Sequence, residues 1–357
     1  MVTTYSLTPG LRYDSHGWDS YVYLDTFPML VRAELGSPDT VTAPGTTTAT
    51  TLSAAIQPGY GTSTNPVTVA ATFNKGDYIS IGYPGTDTTH YNGDLETHQI
   101  TNVTGTGPYS LTLATTINNP HASGEPVQGL YKHKFSLLNL GGLGNQPPTY
   151  TIMDFDGEEW RQLTAGQLDE LTIKGNATEL VDYTCTWFAN PSVTPTAPST
   201  TPFTSTRPVP SYTTAFLMNG TQAFDVEDFE IDLKRGTKPI PAFTGTEEYF
   251  EYFAGPLEAT GNKLTVIETS GAPELTAFQN GLNQPFDFYL YDLWTGNAMR
   301  IHSTNVMYVT GELTRSKEYV EATLTYDFLP SSADTTTVSG GVSPLFIEVA
   351  NAQSTAY

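Results

Sequence analysis

Four stretches of this chain alternate apolar and polar side chains with a period of two, the signature of a β-strand that buries one face and wets the other. Val181, Tyr183, Cys185 and Trp187 share one face, opposite Asp182, Thr184 and Thr186. The same period returns at Phe229, Ile231 and Leu233, at Phe286, Phe288 and Leu290, and at Val320, Ala322, Leu324, Tyr326 and Phe328. Strands of a parallel α/β sheet are covered on both faces and read as continuous apolar runs. The alternation therefore points to a mainly β chain built as a two-sheet sandwich or barrel. Charged residues at only 15%, aromatic residues at 12% and recurrent Thr suit pleated surfaces.

A length of 357 residues with 38% apolar content supports real cores and about two domains. Residues 21–36 (YVYLDTFPMLVRAELG) read as a strand end followed by a short flanking helix. Asp25 or Thr26 can cap it, Pro28 sits where a missing N–H costs nothing, and Gly36 stops it. Leu30, Ala33 and Glu34 then fall on successive turns. Residues 37–65 carry little charge and many Thr, Gly and Pro, show neither period, and read as a linker. Residues 66–128 hold four short apolar stretches, marked by Val67 and Val69, by Tyr78, Ile79 and Ile81, by Ile100 and Val103, and by Leu111 and Leu113. Turn residues punctuate between them, so this segment is expected to be a small antiparallel β module inserted into a core of residues 1–36 and 131–333.

Two brief helices are expected over 247–254 and 273–279. Residues 189–213 contain six prolines in 25 positions and cannot form a regular element within the core. A loop that long usually reaches for something. The stretch 334–357, with Leu345, Phe346, Ile347 and Val349, reads as a C-terminal, β-like arm that docks on a neighbour.

Charge and motif content narrow the function classes. The 37 acidic and 15 basic side chains leave a net charge of −22, spread as ten against three in residues 1–130 and twenty-seven against twelve in 131–357. A surface that grips phosphates needs clustered Lys and Arg, so the balance argues against nucleic-acid binding. Cys185 is the only cysteine, which excludes an intrachain disulfide framework and a multi-cysteine metal site. No cationic start followed by an apolar run opens the chain, and no stretch approaches the ~20 apolar residues of a membrane span; a soluble protein made in a cytoplasm is expected.

No catalytic, cofactor or metal residues are expected. Asp154, Asp156 and Glu158 in MDFDGEEW lack the spacing of an EF-hand loop, and Asp-Gly is turn chemistry. His90 and His98 have no third ligand at zinc spacing. Cys185 alternates with Tyr183 and Trp187 on an apolar face, away from the electropositive setting a reactive thiol needs. The carboxylates Asp225, Glu227, Glu230 and Asp232 lie beside the apolar residues of one strand, either as an ordinary solvated face or as part of a functional acidic surface.

The order of elements resembles the tail tube (major tail) proteins of long-tailed bacteriophages. The resemblance is carried by WDSYVYLDTFPMLVRAELG (residues 18–36), YKHKFSLLNLGGLGNQPPTYTIMDF (131–155), LDELTIKGNATELVDYTCTW (168–187), FDVEDFEIDLKRG (224–236) and EYVEATLTYDF (318–328). Residues 66–128 resemble the small β module of phage virion proteins through FNKGDYISIG (73–82), THQITNVTG (97–105) and LTLATTINNPHASGEPV (111–127). The resemblance implies a tail-tube-type two-sheet sandwich with a flanking helix, closing into homo-hexameric rings that stack into a hollow tube in the virion tail. It implies tape measure, terminator and baseplate or tail-tip proteins as partners, no membrane, and DNA that passes through the bore without specific binding. Asp225, Glu227, Glu230 and Asp232 would then be lumen-facing. A carbohydrate-binding β-sandwich surface protein, using some of the 21 Tyr and 17 Phe as a platform, is the alternative.

Overall fold

The computed structural model describes residues 12–37, 39–82, 95–138, 146–155, 157–195, 207–218, 220–223, 225–242, 249–267, 273–315, 320–335 and 341–357. In chain order the strands are β1 (Asp14–Tyr21), β2 (Thr40–Thr42), β3 (Thr50–Thr51), β4 (Val67–Val69), β5 (Tyr78–Ile81), β6 (Glu96–Thr104), β7 (Tyr109–Leu113) and β8 (Pro126–Ser136). Next come β9 (Tyr150–Phe155), β10 (Trp160–Asn176), β11 (Asp182–Ala189), β12 (Ala215–Met218), β13 (Thr221–Ala223), β14 (Val226–Lys234), β15 (Lys238–Ile240) and β16 (Glu251–Phe253). The remainder are β17 (Glu258–Val266), β18 (Gln284–Tyr291), β19 (Ala298–Thr314), β20 (Glu321–Phe328), β21 (Ser331–Thr335), β22 (Val342–Ser343) and β23 (Phe346–Asn351). Two α-helices, α1 (Phe27–Leu35) and α2 (Pro273–Asn280), and one 3-10 turn (Ser211–Thr213) complete the elements among the described residues.

Two antiparallel sheets share the long strand β19. The first runs β1–β11–β10–β14–β17–β20–β19, and the second runs β13–β12–β18–β19–β23–β8–β2. Residues 298–306 of β19 pair with β18, whereas residues 306–314 pair with β20, across a bulge between Tyr308 and Thr310 that helps the strand turn from one sheet into the other. The inner faces meet in one apolar cluster, as the alternation requires. Phe229 of the first sheet lies 4.6 Å from Phe288 of the second, and Phe286 of the second packs 5.5 Å from Tyr326 and 5.4 Å from Phe328 of the first. Gly261 sits directly opposite Tyr326. A Cβ there would lie 2.5 Å from the buried ring, so only glycine lets the tyrosine fold down over its partner strand.

Helix α1 forms where expected and packs against β10 and β8, burying Phe27, Val31 and Leu35. Pro28 opens it and Gly36 ends it at φ 82°, a left-handed conformation that glycine adopts without strain. Thr26 holds the N-cap position, yet its side chain makes no capping hydrogen bond. At the other end, the guanidinium of Arg235 donates to the carbonyls of Glu34 (2.8 Å) and Leu35 (3.0 Å), satisfying acceptors that the helix leaves open.

A second apolar cluster gathers Val67, Val69, Ile79, Ile81, Ile100, Leu111 and Leu113 from β4 to β7. Three sequence expectations need correction around it and beyond. Residues 37–65 are not a plain linker: β2 pairs with β8, β3 does likewise, and Leu52 and Ile56 are fully buried in this second cluster. These contacts come from single bridges and two- or three-residue strands, too short to show a period. Residues 345–349 are not a free arm, because β23 inserts between β19 and β8 of its own chain with all six residues buried. Covered on both faces, a central strand shows an apolar run in place of alternation. Glu251–Phe253, expected to be helical, are strand β16 paired with β15; Tyr252 alone points inward, a period of two. Helix α2 covers the other expected helix.

The excursion 189–213 is pinned at both described ends. Val193 bridges Gln162, while Val209 is buried between Val22 and Val181, donating to the carbonyl of Val22 and accepting from the N–H of Val181. Residues 196–206 lie outside the described residues.

Candidate functional site

The outer face of the first sheet is a polar surface that runs across several of its strands. Because side chains alternate across the pleat, the register stacks polar rows from strand to strand. Thr184 faces Asp19 on one side and Thr172 on the other, Thr172 faces Asp232, Asp232 faces Thr260, and Thr260 faces Asp327. One row over, Asp182, Lys174, Glu230, Asn262 and Thr325 follow one another. Hydroxyls and amides tie the carboxylates in place: Thr172 donates to Asp232 at 2.6 Å and Asn262 to Glu230 at 3.3 Å.

Like charges crowd on this face. Glu230 is raised above the ordinary carboxylate range by burial and then by the adjacent Asp232. Burial and the charge of Glu179 raise Asp228. Asp182 is raised chiefly by burial, with Lys174 pulling it down and the like charges of Glu179 and Asp19 pushing it up. Lys234 is engaged by Glu170 at 3.6 Å in an exposed pair. A surface of this kind repels phosphate and offers neutral hydrogen-bonding groups between its charges.

The four carboxylates singled out from the sequence do not form one row. Glu230 and Asp232 share the open face. Glu227 is the extra residue of a bulge between Val226 and Asp228, so it has no partner across the ladder to β17. Asp225, beyond the bulge, acts electrostatically on Lys263 and Tyr308, whose side chains are buried inside the sandwich. Asp228, exposed on the open face, was legible from parity with Phe229, Ile231 and Leu233, which point the other way. Asp182 was already on the polar side of its strand. What one strand could not reveal is that β10, β14 and β11 would align these groups.

Cys185 is buried in the main apolar cluster, and burial pushes its thiol up to about 11. Asp154 lies 3.8 Å from His16, and Asp156 and His90 fall outside the described residues. Among the described residues no three His, Cys, Asp or Glu side chains converge as metal ligands. His98 belongs to a buried relay with Glu96 and Thr115. No helix among the described residues is long and apolar enough to cross a membrane.

In comparison with known proteins, the chain matches no family model and no curated protein.

Proposed function

We propose that the protein is a structural subunit that assembles with copies of itself, of the tail tube type. On this reading the sandwich is a tail-tube-type core, copies close into rings of which six is the expected number, and rings stack into a hollow tube. The segment around β4 to β7 is an inserted module carried on the outside, and the open face of the first sheet lines the bore. The observation that carries it is that face: a seven-strand sheet sealed on one side by an aromatic core and left open on the other with crowded carboxylates. DNA moving past it would meet like charge and slide without sticking. Edge strand β1, paired only with β11 among the described residues, supplies backbone donors and acceptors that a neighbouring copy can use.

Electron microscopy of the purified chain at high concentration tests the reading. Rings and hollow filaments with an acid-lined bore are expected. A protein that stays monomeric by analytical ultracentrifugation across the same concentrations overturns it.

A further inference from the structure

A cleft of about 500 Å³ opens where the second cluster meets the sandwich, between β6 and the turn after β7 on one side and the Tyr212–Ala215 segment with the end of β18 on the other. That volume lies in the roughly 300–1,000 Å³ range of small-molecule sites. Its floor is polar and already satisfied. Glu96 accepts from the backbone N–H of Asn118 at 2.9 Å and contacts His98 at 2.9 Å; His98 reaches Thr115 at 2.8 Å, and Thr115 reaches the Tyr291 hydroxyl at 3.1 Å. Burial opposes ionisation of Glu96, but the His121 imidazole 3.7 Å away, the hydrogen-bonded His98 and the backbone N–H of Asn118 together hold the carboxyl down at about 2.

The rim is different. Thr116, Asn118, Asn119 and Thr214 line the opening with side chains that make no hydrogen bond among the described residues, and the Tyr212 ring stands 70% exposed beside them. Free hydroxyls and amides offer donors and acceptors together, whereas a purely anionic or cationic ligand would call for one sign of charge. Among the described lining residues there is no Lys or Arg, and the one carboxylate is spent on its own neighbours. An exposed ring beside neutral hydrogen-bonding groups suits a ligand with apolar C–H faces and equatorial hydroxyls.

We infer that this cleft binds a neutral carbohydrate, with Tyr212 as the stacking platform and the Thr116, Asn118, Asn119 and Thr214 side chains as hydroxyl partners. The site is independent of self-assembly, and a tube subunit carrying it would present sugar-binding positions at every copy.

Saturation-transfer NMR on the full chain tests it, with glucose, galactose, N-acetylglucosamine, maltose and lactose as probes at millimolar concentration. At least one probe is expected to receive saturation, with an affinity that falls about tenfold or more in Tyr212→Ala and in Thr116→Val, while Phe250→Ala, an exposed aromatic outside the cleft, leaves it unchanged. Unaltered thermal unfolding of the two cleft variants separates lost binding from lost folding, and Tyr212→Phe should retain most of the affinity if stacking is the role. The inference is overturned if no probe receives saturation, or if binding persists undiminished in both cleft variants.

Discussion

The outer faces of the two sheets began as the same kind of surface, the polar half of an alternating strand, and they have been treated in opposite ways. On the first sheet, Glu230, Asp228 and Asp182 stand near other carboxylates and are raised by burial and by like charge. On the second sheet the outer face is covered by the β5–β6 side of the second cluster, with Tyr78, Leu130, Leu217 and Tyr289 packed between them. There Arg300, Glu348 and Asp287 are paired with one another. Arg300 contacts Glu348 at 3.2 Å and Asp287 at 2.6 Å; Tyr78 donates to Glu348 at 2.9 Å and Tyr289 to Gln99 at 2.9 Å. Covering a sheet removes water from its polar row, so each ion must find a protein partner, whereas an open face leaves unpaired carboxylates to the solvent.

The largest test of this contrast is Arg300→Ala. It removes the guanidinium that Glu348 and Asp287 share in a covered interface, leaving Glu348 only Lys132 at 3.7 Å and Asp287 only His302 at 2.7 Å as basic neighbours, and the expected loss is about 3–5 kcal/mol in chemical denaturation. A loss below about 1 kcal/mol, typical of an exposed pair, would break the comparison.

Glu96 comes next. Its folded pKa of about 2 lies below the unfolded value, so the stability it contributes is present above the usual carboxylate pKa and is lost as pH falls from about 4.5 towards 2. Glu96→Gln should cost on the order of 2–3 kcal/mol at neutral pH and flatten the acid limb of the stability profile. An acid limb identical to that of the parent would remove Glu96 from the account.

The smallest effect belongs to the open face. Raised carboxylates oppose folding when ionised, so their unfavourable contribution disappears as pH falls through the raised values, the reverse of Glu96. Glu230→Gln is expected to stabilise the monomer slightly, within about 0.5 kcal/mol, with the gain present at neutral pH and absent in acid. Destabilisation at neutral pH would mean that a favourable partner holds Glu230, as partners hold the carboxylates of the covered face.

The sandwich was legible because its inner residues keep a strict period: Phe229, Ile231 and Leu233, then Ala322, Leu324, Tyr326 and Phe328, are all buried on one side. Helix α1 was legible from Pro28 and Gly36. The placing of Leu52, Ile56 and β23 was not, because a two-residue strand has no period and a strand covered on both faces loses its alternation. For the acidic face, parity around Phe229 was readable, but the bulge at Glu227 rotates the residues before it, and only cross-strand register brings Asp182 and Glu230 to the same surface. The cleft at Tyr212 joins residues roughly a hundred positions apart in sequence, a proximity that no local pattern carries.

Strand β23 has a consequence for synthesis. Its partner β8 leaves the ribosome roughly 200 positions earlier, and β19 precedes it too, so both wait with bare hydrogen-bonding edges until residues 346–351 emerge. The nascent polypeptide thus cannot seal its own second sheet early, which delays completion of a foldable subunit and leaves a window in which a chaperone, or a stray strand from another copy, competes for the vacant slot.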